Sequence, residues 1–197
     1  QRYRIKARRE GWEAEFLPYL TSGLHFNGSE GSQIFTDVNP ALSWTAYGNA
    51  QISAESAAFG GFSAIFDGAG DYIENSGGGA GATPGVDEDF TICGWITPAS
   101  VTTIRGLAGT RKGSNPQAGW DLYINSDASV GFEFIDPTTT YYGFGSGPGK
   151  LSNGVRAYIA LSKKARLYRL FVNGILVASQ TFNVAIYNSA GLSLRYG

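Results

Sequence analysis

The stretch RLYRLFVNGILVASQTF, residues 166–182, decides the fold. Its two halves alternate in side-chain character on either side of Asn173-Gly174, a dipeptide typical of a two-residue type I′ turn, in which both central residues need positive φ. The stretch therefore predicts a β-hairpin with Tyr168, Leu170 and Val172 facing the core. The expected cross-strand pairs are Val172 with Ile175, Leu170 with Val177, Tyr168 with Ser179, Phe171 with Leu176, and Arg169 with Ala178.

The same alternation with a period of two recurs along the chain, interrupted by Gly, Asn or Pro. With the hairpin, these runs indicate at least ten strands, enough for two antiparallel sheets packed face to face. We therefore predict an all-β, jelly-roll sandwich with less than about 10% helix. The additional runs are Phe90–Ile96, Trp120–Ile124, Val130–Ile135, Val155–Leu161, Leu24–Phe26, Gln33–Thr36, Ala64–Phe66 and Tyr72–Glu74.

The composition agrees with one all-β domain. The 197 residues include 28 Gly, 7 Pro and 27 aromatic side chains, while charged residues are only 16%. Coiled coils need abundant Ala, Glu, Lys and Leu, and disordered chains lack aromatics, so both classes are excluded. Two glycine-rich stretches, 77–85 and 143–150, are predicted loops. The second lacks the terminal Gly-Lys-Ser/Thr of a phosphate-binding loop, so no nucleotide site is expected.

Charge is distributed unevenly along the chain. Residues 1–9 carry five basic side chains and no acidic one; since the net charge of the chain is −1, the rest carries −6. We interpret residues 1–21 as a basic arm and connector, and residues 22–197 as the sandwich domain. An acidic body does not attract nucleic acid, so the arm is expected to contact other subunits. Its basic residues are Arg2, Arg4, Lys6, Arg8 and Arg9.

Cys93 is the single cysteine, which excludes a disulfide framework, and its apolar strand predicts a buried, inert thiol. No apolar run approaches the ~18 residues that a membrane span needs, so no membrane partner is expected. The charged start predicts that no signal peptide is present. The chain contains no Met, from which we expect either a processed start or a piece of a longer chain.

Six blocks of sequence carry a resemblance to a known superfamily. They are GLHFNGSEGSQIFTD (23–37), YGNAQIS (47–53), FGGFSAIFDGAGDYIE (59–74), DFTICGWITP (89–98), GWDLYIN (119–125) and LYRLFVNGILVAS (167–179). In this order they resemble the laminin G-like, concanavalin A-like lectin/glucanase superfamily, in the short version common in bacteriophage proteins. The resemblance implies a jelly roll of two curved antiparallel sheets.

The resemblance also implies where calcium is held in some relatives. Asp37 lies where those relatives keep a calcium-binding aspartate, so it is a candidate metal ligand and calcium a possible cofactor; no other cofactor is expected. Many relatives complete that site with a strand after the last glycine. This chain stops at Leu194-Arg195-Tyr196-Gly197, so we expect the strand to be missing and its place to be filled by the N-terminal arm or a neighbouring chain.

The sequence gives little support for catalysis. His25, the single histidine, lies between apolar residues and is interpreted as structural. The contiguous run Asp87-Glu88-Asp89 sends neighbouring carboxylates to opposite faces of a strand, unlike the one-face pair that a glycosidase needs. Asp67 and Asp71 flank a turn. We therefore predict that the protein is not an enzyme.

Aromatic side chains are the candidate contact residues. Alternation places Trp95, Tyr123 and Tyr158 on faces turned away from the core, and Tyr141-Tyr142 are predicted in a loop. They could meet a glycan or a protein partner, or pack against one another.

The first functional hypothesis is a non-enzymatic structural or interaction module of a phage virion: a head decoration, a head or tail fibre, or a tail protein. Its partners would be other virion proteins or copies of itself, in a virion or extracellular location. The alternative is a lectin-like adhesion module that binds surface glycans. A glycoside hydrolase is the third and least favoured hypothesis.

Overall fold

The computed structural model describes residues 20–75, 88–110, 118–187 and 192–197. Within these ranges the chain forms strands and turns and no helix, which confirms the all-β prediction. No helix of this part is long and apolar enough to cross a bilayer. Residues 1–19 of the predicted arm and the predicted loop at 77–85 lie outside the described residues. The arm, its boundary at residue 21 and this loop stay predictions.

Thirteen strands are present in the described ranges. A seven-stranded antiparallel sheet has the order β1-β4-β13-β6-β7-β8-β9, a four-stranded sheet the order β12-β11-β10-β5, and β2 pairs with β3. The strands are β1 Trp44–Tyr47, β2 Gln51–Ser53, β3 Ser63–Ile65, β4 Tyr72–Asn75, β5 Phe90–Ile96, β6 Arg105–Gly109, β7 Trp120–Ile124, β8 Val130–Ile135, β9 Tyr141–Gly145, β10 Ala157–Lys164, β11 Leu167–Val172, β12 Ile175–Thr181 and β13 Arg195–Tyr196.

The main core lies between the two larger sheets. Tyr168, Leu170 and Val172 of β11 are buried there as predicted, together with alternate residues of β7, β8 and β10. The ring of Tyr168 lies 5.7 Å from those of both Phe132 and Phe134. Because aromatic side chains bury large apolar areas and prefer offset or edge contacts, this cluster joins the two sheets across the sandwich.

A second, smaller core supports the hairpin of β2 and β3. Phe35, Ala50, Ile52 and Ile73 are buried in it, and Tyr196 packs against both cores. The predicted strands at 24–26 and 33–36 do not form here. The chain makes only isolated bridges in this region, Leu24 with Asp37 and Thr36 with Ser43, and the backbone of Gly31 and Ser32 hydrogen-bonds to Ile52 of β2.

The Asn173-Gly174 turn is confirmed, with φ of 51° and 79°. Val172 pairs with Ile175 and Phe171 with Leu176, as expected. Beyond these pairs the register prediction is wrong. A β-bulge shifts the ladder, so that Leu170 lies opposite Ala178, Arg169 opposite Ser179 and Tyr168 opposite Gln180. One extra residue of β12 is left without a partner, which is the usual result of a bulge.

One strand was not predicted: Arg195–Tyr196, before Gly197, forms β13 between β4 and β6. One further prediction is corrected. The predicted run from Val155 begins later: Val155 is exposed, and β10 starts at Ala157.

Candidate functional site

The four-stranded sheet brings Trp95 and Tyr158 together. Trp95 of β5 is directly opposite Tyr158 of β10, and their ring centroids are 5.2 Å apart. Their neighbours Ile96 and Ile159 face the main core, so alternation turns both aromatic rings outward, as predicted. Trp95 is 46% exposed, which leaves a large indole surface accessible on the outside of the sandwich.

A loop next to β3 extends this aromatic surface. Phe59, 69% exposed, meets Trp95 edge to face with centroids 6.0 Å apart. Arg156 ties the same loop to the sheet, since its Nη2 donates a 2.7 Å hydrogen bond to the carbonyl of Ala57. Between loop and sheet lies a recess of about 220 Å³, lined by Ala58, Phe59, Trp95 and Arg156. We call it the Trp95 recess.

The rest of the outward face of the four-stranded sheet runs away from this recess. Its next row is Cys93, Ala160, Phe171 and Leu176, and the row beyond is Thr91, Ser162, Arg169 and Ser179. The first row is mainly apolar, and the second provides hydroxyls and one guanidinium. A surface with apolar contacts and a few polar groups is typical of ligand sites.

Cys93 departs from its prediction. The thiol was expected to be buried, yet Cys93 is exposed, because it shares the outward side of β5 with Trp95. The pKa of the Tyr158 phenol is raised, first by burial and then by a hydrogen bond with the Cys93 thiol. The phenol therefore stays protonated at ordinary pH.

The other three predicted aromatic residues do not join the Trp95 recess. Tyr123 is on the outward face of the seven-stranded sheet, and a side chain at Gly131 would collide with its ring. Tyr141, 44% exposed, is at the edge of that sheet. The loop prediction for Tyr141-Tyr142 is wrong, since both begin β9.

Tyr142 belongs to the core. Its ring stacks on Phe134 with centroids 5.5 Å apart and meets Phe182 at 5.9 Å. The glycines at 143–150 favoured a loop in the sequence, so this placement was not predicted. In the structure, Gly143 and Gly145 belong to β9 and pair with Glu133 and Gly131. Only the residues after Gly145 form a loop.

Asp37, the candidate metal ligand, is buried and organises a loop. One carboxylate oxygen accepts backbone N–H groups of Gly23 (2.9 Å) and Asn39 (2.8 Å). The other accepts the Ser22 hydroxyl (2.6 Å) and the Trp44 indole N–H (3.0 Å). A carboxylate has about four lone-pair sites, so these donors occupy all of them and a cation would have to displace some.

Other acidic groups in the described ranges do not form a metal cluster. No three His, Cys, Asp or Glu side chains there are arranged to hold an ion. The Asp71 carboxylate accepts backbone N–H groups of Asn49 and Asp67, so it holds the turn that Asp67 begins. Asp121 and Glu133 are directly opposite each other on the outward face of the seven-stranded sheet. Asp87 lies outside the described residues.

Two residues of the Trp95 recess, Phe59 and Arg156, were not among the predicted site residues. Phe59 lies outside every predicted strand. Arg156 falls within the predicted run Val155–Leu161, where alternation places it on the same face as Tyr158, although the strand itself starts at Ala157. The available signal was local: Phe59 is in the run AAFGGF at 57–62, where small residues surround an aromatic side chain.

The fold defines the class of protein. Residues 67–197 match a laminin G family model described as the concanavalin A-like lectin/glucanases superfamily. This match covers well over half of the chain, and the chain belongs to that superfamily. A comparison with curated protein sequences gives no match.

Solved structures of binding domains have a similar fold. The botulinum neurotoxin serotype G binding domain has a TM-score of 0.66 at 13% identity, covering 89% of this chain and 42% of that one. The binding domain of Paraclostridial Mosquitocidal Protein 1 has a TM-score of 0.62 at 13% identity, covering 88% and 44%. The Ruminococcus gnavus IT-sialidase CBM40 bound to α2,3-sialyllactose has a TM-score of 0.50 at 20% identity, covering 57% and 64%. This chain thus spans less than two thirds of the length of each.

Proposed function

We propose that this protein is a non-enzymatic, lectin-like module that binds glycans at the Trp95 recess. The carrying observation is the cluster of Phe59, Trp95 and Tyr158, three neighbouring aromatic rings on the outside of the four-stranded sheet, two of them strongly exposed. A sugar ring presents C–H groups on one face and hydroxyls around its edge. It therefore fits a site that combines aromatic surface with a few polar groups.

One polar side chain lies at the recess, and others lie further along the same face. Arg156 lines the recess, and Thr91 and Ser162 lie opposite each other on the outward face two residues further along their strands from Cys93 and Ala160. An oligosaccharide longer than one sugar ring could extend from Trp95 across the small side chains of Cys93 and Ala160 towards Thr91 and Ser162. The fold supports the proposal, since similar structures include a carbohydrate-binding module with sialyllactose and toxin binding domains. The proposed location is extracellular or on a virion surface.

The test is a glycan array followed by titration calorimetry on the glycans retained. We expect Trp95→Ala to lower affinity at least about tenfold, since an aromatic anchor at a binding site is worth about 1.4 kcal/mol or more. Tyr141→Ala is the matched control, because Tyr141 is a similarly exposed aromatic residue on the other sheet. No retained glycan, or equal loss of affinity in both variants, would rule the proposal out.

A role within a phage virion is the second candidate, and the charge distribution favours it. The +5 segment at residues 1–9 complements the −6 of the remaining chain, so the arm of one copy could contact the body of another copy or a different virion protein. Deleting residues 1–9 should leave the sandwich folded and weaken assembly. The intact protein should assemble less as salt rises, because salt screens such contacts. Unchanged assembly, or tight DNA binding at physiological salt, would contradict this role.

A further inference from the structure

Arg156 contributes the one charged side chain among the described residues that line the Trp95 recess. One Nη2–H bond is used on the carbonyl of Ala57, and this contact fixes one corner of the guanidinium to the loop. A guanidinium has five N–H donors, so four remain for other acceptors. The other lining residues, Ala58, Phe59 and Trp95, have no carboxylate that could neutralise it.

We propose that the recess selects glycans that carry a carboxylate, such as uronic or sialic acids. This inference rests on the proposed glycan-binding function and specifies its ligand class. The carboxylate would be received by Arg156 while the sugar ring lies against Trp95 and Phe59. Charge complementarity carries the argument, because a cation with no carboxylate among the described residues of its recess, beside two exposed aromatic rings, favours an anion that also has an apolar face.

The geometry favours a carboxylate over other anions. The guanidinium is planar and offers parallel N–H bonds that match the two oxygens of a carboxylate. The anchoring bond to Ala57 limits rotation of the group, so less conformational freedom is lost when a ligand binds.

The experiment compares matched ligands. Sialyllactose and a glucuronic acid disaccharide are titrated against the protein beside their methyl esters, which keep the shape and lose the charge. We expect at least one of the two acids to bind about tenfold more tightly than its ester, the change expected for a hydrogen bond to a charged group. A sulfated lactose is the third probe. If it binds as tightly as the best acid, charge alone is recognised and the carboxylate assignment is wrong.

Variants separate recognition from loop anchoring. Arg156→Gln keeps a donor for Ala57 and loses the charge, so it should lower the affinity for the acid much more than the affinity for the ester, and the difference between acid and ester should disappear. Arg156→Lys keeps the charge but lacks the two parallel N–H donors of the guanidinium. It should retain part of the difference in affinity between acid and ester. Lys150→Gln is the matched control, because Lys150 is an exposed cation in the loop after β9 and does not line the recess. It should change nothing.

The outcomes distinguish the two proposals. If Arg156→Gln lowers the affinity for the acid and for the ester equally, Arg156 only anchors the loop and the carboxylate inference fails. If the acids and esters bind alike, the inference also fails while glycan binding stands. If no glycan of any kind binds the unmodified protein, the proposed function itself is wrong.

Discussion

The indole nitrogen of Trp44 donates a 3.0 Å hydrogen bond to the buried carboxylate of Asp37. The same Trp44 ring lies 5.2 Å from the ring of Tyr196 in β13. Asp37 thus connects the chain segment before β1 to the centre of the seven-stranded sheet. The candidate calcium ligand has a structural role here, since a carboxylate surrounded by four N–H and O–H donors already has its charge stabilised.

Replacing Asp37 by Ala should lower the free energy of unfolding by roughly 3 kcal/mol, because several donors lose a charged acceptor at once. Urea denaturation measures this, and Glu55→Ala is the control, since Glu55 is exposed. Calcium should not change the melting temperature of the unmodified protein. A large stabilisation by calcium that Asp37→Ala removes would contradict the structural role.

The buried hydroxyl of Tyr168 should make stability depend on alkaline pH. It has no hydrogen-bond partner among the described residues, and burial raises the pKa of the phenol to about 12. The unfolded chain releases this proton near pH 10. The contribution of Tyr168 to the free energy of unfolding is therefore full below pH 10 and is lost as the pH rises towards 12. Tyr168→Phe should be near neutral at pH 7 and should lessen this alkaline loss. Tyr141→Phe should leave the loss unchanged; if Tyr168→Phe does so too, the prediction is wrong.

The Gly174 turn should resist a β-branched residue. Its φ of 79° is in the left-handed region, and nothing lies within 4 Å of an added Cβ, so any cost comes from the backbone. Gly174→Val should destabilise by about 1 kcal/mol or more. Gly94→Val is a matched control, because Gly94 also has open space but no positive φ. Equal melting temperatures for the two variants would count against the strained turn.

Cys93 should react with an aromatic disulfide reagent without denaturant. The prediction follows from its exposure on the outward side of β5, beside the phenol of Tyr158. We expect one thiol per chain to be modified in the native protein, and the same number after unfolding in urea. A thiol that reacts only in urea would place Cys93 in a covered position.

No hydrolytic activity is expected. Asp121 and Glu133 are a cross-strand pair, and each already takes part in an interaction within the protein. Reducing-sugar release from a broad panel of polysaccharides should therefore stay at background. Turnover that disappears in Glu133→Gln or Asp121→Asn would overturn both this prediction and the non-enzymatic function.

The strands of the core were predictable because alternation is a local property. Tyr168, Leu170 and Val172 are buried as their spacing indicates, since one face of each strand must meet apolar surroundings. The bulge in β12 was not predictable from that spacing. A bulge depends on how two strands fit together as well as on the sequence of either one. The place of Tyr142 in β9 was not predictable for a similar reason. The glycines that follow it favour a loop in the sequence, whereas pairing with β8 makes this segment a strand.

The candidate site was predictable only in part. Alternation indicated that Trp95 and Tyr158 face outward, but their direct contact depends on the pairing of β5 with β10, which lie far apart in sequence. Phe59 and Arg156 come from loops, whose placement follows from tertiary packing. The recess thus exists only once the hairpin of β2 and β3 and the four-stranded sheet have come together.

The position of β13 has a consequence for how the chain folds. Its two residues, Arg195 and Tyr196, pair on one side with β4 and on the other with β6, so the larger sheet consists of two blocks joined by a strand that follows all its other strands in sequence. The salt bridge between Arg195 and Glu74 spans 121 residues. Pairings of such long range form late and slowly, because closing the intervening loop costs entropy before any contact compensates for it. During synthesis, β1 with β4 and β6 through β9 would therefore wait as separate halves with unpaired edges, a stage at which the nascent chain is most open to aggregation.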